Sequence, residues 1–240
     1  MPERYGRVVA PIYRSDSMSR PDYVGTGVLV RDASNYWLLS AAHVFGEHDP
    51  LWLPTAPAFK RVRSTIRSDK YSTDPLDLSF IELNFPEAAG LESAGYEFLP
   101  ISAAQITASE YPEGRCAILG YPAAGGVTIN HDSESIDYRA LIARSNFVKR
   151  SKVSLLRLDP KVKLVIKYED FSEDVTGKKI GIPIPSGLSG GAIWSCPKDA
   201  EPVLVGILTE WDRKKKILIG TQLWPMIRQI ALRLRARANE

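Results

Sequence analysis

Cysteine and histidine are scarce in this chain. Two cysteines in 240 residues, Cys116 and Cys196, are too few for a disulfide scaffold, and without an export signal thiols stay reduced. The three histidines, His43, His48 and His131, and the two cysteines fall outside the compact spacings of zinc sites. No metal and no cofactor is therefore expected. No segment approaches the roughly 18 consecutive apolar residues of a membrane-spanning helix. The opening residues MPERYGRVVAPIYRSDSMSR carry charges and prolines where a secretion signal needs an unbroken apolar stretch of about 7–15 residues. These absences predict a soluble, cytoplasmic protein with no membrane partner. Charge of one sign is lacking too: 31 basic against 28 acidic side chains leave +3, too little for the clustered basic face that nucleic acid requires.

What the chain does contain is strand. Hydrophobic residues make up 44% and charged residues 25%, an ordinary globular balance. The apolar residues fall in short runs rich in branched side chains: VVAPIY, VGTGVLV, YWLLSAAHV, LDLSFIEL, RCAILGYP, VSLLRL, LVIKYE, GAIW, PVLVGILT and KILIGTQL. Most have strand length, and the 17 prolines and 17 glycines lie mainly between them. No segment repeats at a period of roughly 20–50 residues, which excludes a solenoid or propeller. An all-β sandwich or barrel is predicted. The apolar pattern weakens between residues 84 and 112, which divides the chain into a first unit over 1–105 and a second over 106–240. Helical spacing comes at the end, where Met226, Ile227, Ile230, Leu232 and Leu234 alternate with arginines. It predicts a helix over about 224–238, packed on the second unit with its arginines in solvent. Arg213, Lys214, Lys215 and Lys216 are expected to crown a hairpin turn.

The strongest chemical signal is PSGLSGGAIW, residues 185–194, a serine inside a glycine-rich loop directly before an apolar strand. Gly187, Gly190 and Gly191 allow backbone conformations that a side chain forbids, so amide N–H groups can converge on one point. Ser189 is the candidate nucleophile. His43 ends the run YWLLSAAHV and is the candidate base, whereas His48 and His131 lie in polar surroundings. A carboxylate to orient the histidine is supplied by DPLDLSFIEL. Asp77 opens the strand-like part of that segment and is preferred; Asp74 precedes Pro75 and reads as a turn residue.

YWLLSAAHV, DLSFIEL and GLSGG resemble, in the same order, the histidine, aspartate and serine motifs of the chymotrypsin-like (trypsin-like) serine proteases. VGTGVLV, RCAILGYP, PVLVGILTE and the C-terminal helix resemble further parts of that family, so the resemblance spans nearly the whole chain. It implies two six-stranded antiparallel β-barrels with a C-terminal α-helix. It also implies a catalytic cleft between the barrels, with His43 and Asp77 on the first and Ser189 on the second. His43 would act as general base, and the backbone amides of Gly187 and Ser189 would form the oxyanion hole. The implied substrate is a protein or peptide.

The family pattern is broken at Leu188. Secreted relatives have an acidic residue directly before the serine, which pairs with a new amino terminus released by zymogen cleavage. The chain is accordingly expected to be competent as synthesised or gated in another way. Without that tether, the oxyanion loop is open to an inactive conformation until a peptide or a regulatory protein partner binds. The alternative reading is a trypsin-fold binding module that is catalytically silent or partner-activated. Cys116 and Cys196 stand close to the places of two bridged cysteines in secreted relatives; here they are read as reduced neighbours, with a bridge as the alternative. The specificity residues would be Pro183, Thr209, Glu210 and Trp211. No aspartate stands where relatives select Arg or Lys. Glu210 is either a substitute charge or a solvent-facing strand residue, and Trp211 would narrow the cleft.

Overall fold

A computed structural model of the chain describes residues 3–15, 21–32, 35–46, 50–55, 59–63, 76–101, 111–123, 127–130, 135–138, 140–168, 171–173, 179–181 and 184–238. The first half forms one sheet in the order β5-β4-β1-β2-β3-β6. Its strands are β1 (Val9–Ser15), β2 (Pro21–Asp32), β3 (Asn35–Ala41), β4 (Leu51–Pro54), β5 (Phe59–Arg61) and β6 (Leu78–Leu83). These neighbours all pair antiparallel, and a two-residue β7 (Leu99–Pro100) adds a parallel pairing to β2. The second half forms a six-stranded antiparallel sheet. It comprises β8 (Arg115–Gly120), β11 (Leu141–Asn146), β12 (Lys163–Lys167), β15 (Ala192–Ser195), β16 (Val203–Asp212) and β17 (Ile217–Gln222), in the order β11-β8-β15-β16-β17-β12. Two hairpins stand apart, β9 (Val127–Asn130) with β10 (Ser135–Tyr138) and β13 (Phe171–Glu173) with β14 (Lys179–Gly181).

The ends of the second sheet meet. Phe147 bridges Ile166, the Val148 amide donates to the Val165 carbonyl at 2.8 Å, and Ser145 Oγ donates to the Lys167 carbonyl at 2.6 Å. That contact curls the sheet into a barrel with an enclosed interior.

Alternation along the strands shows why the apolar runs are continuous. Leu29, Leu38, Ile81 and Leu83 point into the first barrel with Ile12 and Phe45. Cys116, Ile118, Ile193 and Leu208 point into the second. The intervening residues Val28, Val30, Trp37, Phe80, Leu119, Ala192, Trp194 and Ile207 form a third apolar layer between the sheets. A strand buried on both faces has no polar alternate positions. Each fully buried large apolar side chain in these layers contributes about 1.5–3 kcal/mol of transfer free energy. This middle layer holds the two sheets together at the place where their loops meet.

Helix α4 (Trp224–Ala238) closes the chain over the range expected and seats Met226 and Ile230 in the middle layer. Leu232, expected on the packing face, is exposed. Two further segments depart from the sequence reading. VSLLRL is not a strand, because Val153 belongs to helix α3 (Arg150–Leu155) and is fully buried from that helix. The stretch after residue 84 begins as helix α2 (Phe85–Ser93), capped by Asn84. The Asn84 side chain accepts from the Glu87 amide and Glu87 returns a bond to the Asn84 amide, both at 2.9 Å. Arg213–Lys216 form the β16–β17 turn.

Candidate active site

His43 lies in α1 (Ala42–Phe45), a single turn that begins where β3 ends. Its Nδ1 is 2.7 Å from Asp77 Oδ2, and its backbone amide donates to Asp77 Oδ1 at 3.0 Å. One carboxylate therefore grips both the ring and the main chain of the same residue, which fixes the ring's orientation. Nε2 has no hydrogen-bond partner among the described residues, and the His43 side chain is 49% exposed against 26% for Asp77. The rival Asp74 and the remaining histidines, His48 and His131, lie outside the described residues.

Asp77 adopts φ 50°, a left-handed conformation that an aspartate tolerates but that must be held by its surroundings. The Asp77 carbonyl accepts from the Ala42 amide at 3.1 Å. The carbonyl just before it, on Leu76, accepts from Thr221 Oγ1 at 2.6 Å and from Lys163 Nζ at 3.2 Å. Lys163 Nζ also donates to Thr221 Oγ1 at 2.8 Å. Lys163 and Thr221 are opposite one another on β12 and β17. The second sheet thus reaches across to hold the turn that aims the first sheet's carboxylate.

Ser189 sits, half-buried, in the loop leading into β15. Its carbonyl accepts from the Thr26 amide at 2.9 Å. A Cβ placed on Gly25 would lie 2.8 Å from both Val44 methyls and 3.0 Å from the Ser189 carbonyl. Gly25 is therefore the point of close approach where the His43 helix and the Ser189 loop meet. Ser189 and His43 make no hydrogen bond with one another, and such pairs often tighten only when substrate binds.

The amides of the loop divide into two sets. Leu188 donates to the Pro185 carbonyl at 3.0 Å, Gly190 to Leu208 at 2.7 Å and Gly191 to Leu188 at 2.8 Å. The amides of Gly187 and Ser189, the two expected to face an oxyanion, have no partner among the described residues. Gly187 has φ 85°, and the Ser186 carbonyl on the preceding peptide accepts from the Ala123 amide at 2.8 Å. Because C=O and N–H point oppositely across a trans peptide, that bond turns the Gly187 N–H away from Ala123.

Leu188 is 1% exposed and packs in the second barrel's interior with Ile193 and Leu208. Leu188 thus gives this loop an apolar anchor worth about 1.5–3 kcal/mol of burial.

The proposed specificity residues separate. Pro183 lies outside the described residues. Thr209 is buried and its hydroxyl donates to the Ile219 carbonyl at 3.2 Å. Glu210 is exposed, and Trp211 packs against Tyr168 with ring centroids 5.8 Å apart. β15 pairs with β16 only over Val203–Ile207, so among the described strands Thr209–Asp212 has β17 on one flank and an open edge on the other. Both cysteines are free thiols, and burial raises the pKa of each above the ordinary thiol value.

Sequence reasoning missed Tyr23, Thr26, Tyr121, Lys163 and Thr221. Each is an ordinary strand or loop residue whose role comes only from what the other sheet brings to it. No cluster of side chains able to hold a metal occurs among the described residues, and no described helix is long and apolar enough to cross a membrane.

Two curled antiparallel sheets, the first carrying His43 and Asp77 and the second Ser189, followed by a C-terminal helix, make up the fold of the chymotrypsin-like serine proteases. Among solved structures the chain is similar to the apo MamO protease domain from Magnetospirillum magneticum, at 15% identity and TM-score 0.52, over 95% of this chain and 97% of that one. It is also similar to a serine endoprotease from Yersinia pestis, at 14% identity and TM-score 0.56, over 96% of this chain and 64% of that one. A third is HL collagenase, at 12% identity and TM-score 0.59, over 95% of this chain and 94% of that one. At these identities the likeness is one of fold. No protein-family model and no curated protein matches the chain.

Proposed function

We propose that this chain is a serine endopeptidase with Ser189 as nucleophile, His43 as general base and Asp77 as the carboxylate that orients it. The observation that carries the reading is the two-point grip of Asp77 on His43. With Nδ1–H donated to the carboxylate, the neutral ring presents Nε2 as the acceptor.

His43 Nε2 takes the Ser189 hydroxyl proton as Oγ attacks the scissile carbonyl. The oxygen of the tetrahedral intermediate accepts from the Gly187 and Ser189 amides, which the loop leaves unpartnered. His43 then returns the proton to the leaving amine, and water repeats the sequence to free the acyl group. The open edge of Thr209–Asp212 supports an extended peptide as substrate, since its main chain can pair with an unpaired strand edge.

The second reading is a trypsin-fold module that binds peptides without cleaving them or awaits a partner. The absence of a Ser189–His43 hydrogen bond among the described residues favours it. A fluorophosphonate probe separates the two: labelling at Ser189, located by peptide mapping, is expected of the folded chain. A folded chain that takes no label and cleaves no member of a peptide library sinks the protease reading.

Thr221 tests how far the second sheet governs the histidine–aspartate pair. Thr221→Val removes the donor to the Leu76 carbonyl and is expected to lower kcat on the order of tenfold or more with KM little changed, since small misplacements of catalytic groups are costly. Thr221→Ser, which keeps the hydroxyl, is expected to retain activity. Equal kcat for the two variants would show that the latch has no part in aligning the pair.

A further inference from the structure

The Gly187 carbonyl lies at the centre of a compact hydrogen-bond node contributed by the first sheet. Tyr23 Oη is 2.6 Å from the Gly187 carbonyl and 2.5 Å from that of Tyr121. Thr26 Oγ1 is 3.2 Å from the Gly187 carbonyl, 3.2 Å from Tyr23 Oη and accepts from the Tyr121 amide at 3.0 Å. Thr26 also uses its amide on the Ser189 carbonyl and its carbonyl on Ser40 Oγ at 2.7 Å.

The protons can be counted. Two hydroxyls supply two protons, and two carbonyls lie in reach. With Tyr23 O–H donating to Gly187, Thr26 O–H donates to Tyr23 Oη or also to Gly187, and the Tyr121 N–H fills the Thr26 oxygen. When the Tyr23 proton turns to Tyr121, Thr26 O–H still serves Gly187. Burial raises the Tyr23 phenol pKa well above its ordinary value, so it remains a donor throughout the working pH range. The ring also touches the loop directly: a Cβ on Gly187 would lie 2.7 Å from Tyr23 Cε1.

Both peptide planes flanking Gly187 are consequently held. Ala123 fixes the plane that carries the Gly187 N–H, and Tyr23, Thr26 and the Leu188–Pro185 bond fix the next. Turning the first plane over would break the Ala123 bond and move Gly187 out of its φ of 85°. Among the described residues, no carboxylate is bonded to Gly187, Tyr23 or Thr26.

We propose that Tyr23, acting with Thr26, is a positioning residue that holds the Gly187 amide toward the reacting carbonyl oxygen, so that the oxyanion loop is set without proteolytic activation. This rests on the protease reading of the same site and adds how that site is made ready.

Tyr23→Phe keeps the ring and deletes the hydroxyl. It is expected to slow fluorophosphonate labelling and lower kcat by about tenfold, less than the roughly 10²–10³ that outright loss of one oxyanion donor costs, with KM unchanged. A peptide boronate, whose tetrahedral adduct places an oxygen on these amides, should bind weaker by a similar factor. A plain peptide binding to Ser189→Ala should be indifferent to the added Tyr23→Phe. Thr26→Val should behave like Tyr23→Phe, and Thr26→Ser should restore the wild-type rate, which keeps the test open if one variant folds poorly. A chain carrying extra residues before Met1 should label as fast as one without them.

Equal labelling and boronate affinity in Tyr23→Phe and wild type overturns the role of Tyr23. An extended chain that labels only after its extension is cleaved overturns the claim of a preset loop. A wild-type chain that takes no label overturns the protease reading, and this proposal with it.

Discussion

Ser189→Ala is expected to abolish fluorophosphonate labelling and to lower kcat for a cleaved peptide by about 10⁵–10⁶, with His43→Ala costing a similar factor, because nucleophile and base act as one unit. The same logic makes the Ser189→Ala/His43→Ala double variant no slower than either single change. Asp77→Asn is expected to cost about 10⁴ while leaving the fold intact. An asparagine amide placed at Asp77 Oδ2, 2.7 Å from His43 Nδ1, can donate where the carboxylate accepted. The ring then carries its proton on Nε2 and cannot accept from Ser189. Steady-state kinetics on a peptide found by library profiling, with the melting temperature as a check on folding, measures all four variants. Asp77→Asn retaining more than a tenth of wild-type kcat would remove Asp77 from the mechanism.

Gly190→Ala is the substitution expected to damage the fold most. A Cβ there would stand 1.9 Å from the Thr26 carbonyl and 2.1 Å from Ser40 Oγ, and the residue has φ 85°. Neither obstacle can move cheaply, because Ser40 Oγ donates to that same Thr26 carbonyl and the Gly190 amide is bonded to Leu208. The expected loss is about 3–5 kcal/mol, from backbone strain and overpacking together. That corresponds to roughly 10 °C or more in Tm for a chain of this size. Gly95→Ala is the matched control: its φ is 89°, but nothing lies within 4 Å of the added carbon. It should cost only the left-handed strain, about 1–2 kcal/mol. Similar Tm values for the two variants would show that the packing of Gly190 between Thr26 and Ser40 contributes nothing.

The two predictions concern residues that differ in how readable they were. Ser189 and its glycines stood out because the constraint is local: two backbone positions three residues apart, Gly187 and Gly190, both have φ 85° and call for glycine in the sequence itself. The motifs singled out His43 and Asp77, 34 residues apart in the chain, and the structure brings the ring and the carboxylate within 2.7 Å. The capping box of Asn84 and Glu87 starts α2, and the weak apolar pattern of the following residues concealed that helix. VSLLRL misled because a short apolar run has the same composition in a buried strand and in a helix that buries one residue, as Val153 does.

Residue types and their order were enough to imply two β units, a terminal helix over 224–238, and a serine, a histidine and an aspartate as candidate chemical groups. Those properties depend on strand and helix periodicity and on side-chain chemistry, which act over a few residues. The contacts that surround this candidate site were decided elsewhere. Leu188 becomes an apolar anchor only because the second barrel closes around it. Tyr23 and Thr26 reach the Gly187 carbonyl only because β2 is carried against the loop from the other sheet. Lys163 and Thr221 reach the turn before Asp77 only because the middle apolar layer docks the sheets together. A hydrogen bond spanning more than a hundred residues, such as that from Thr221 to Leu76, leaves no mark on the local pattern of either partner.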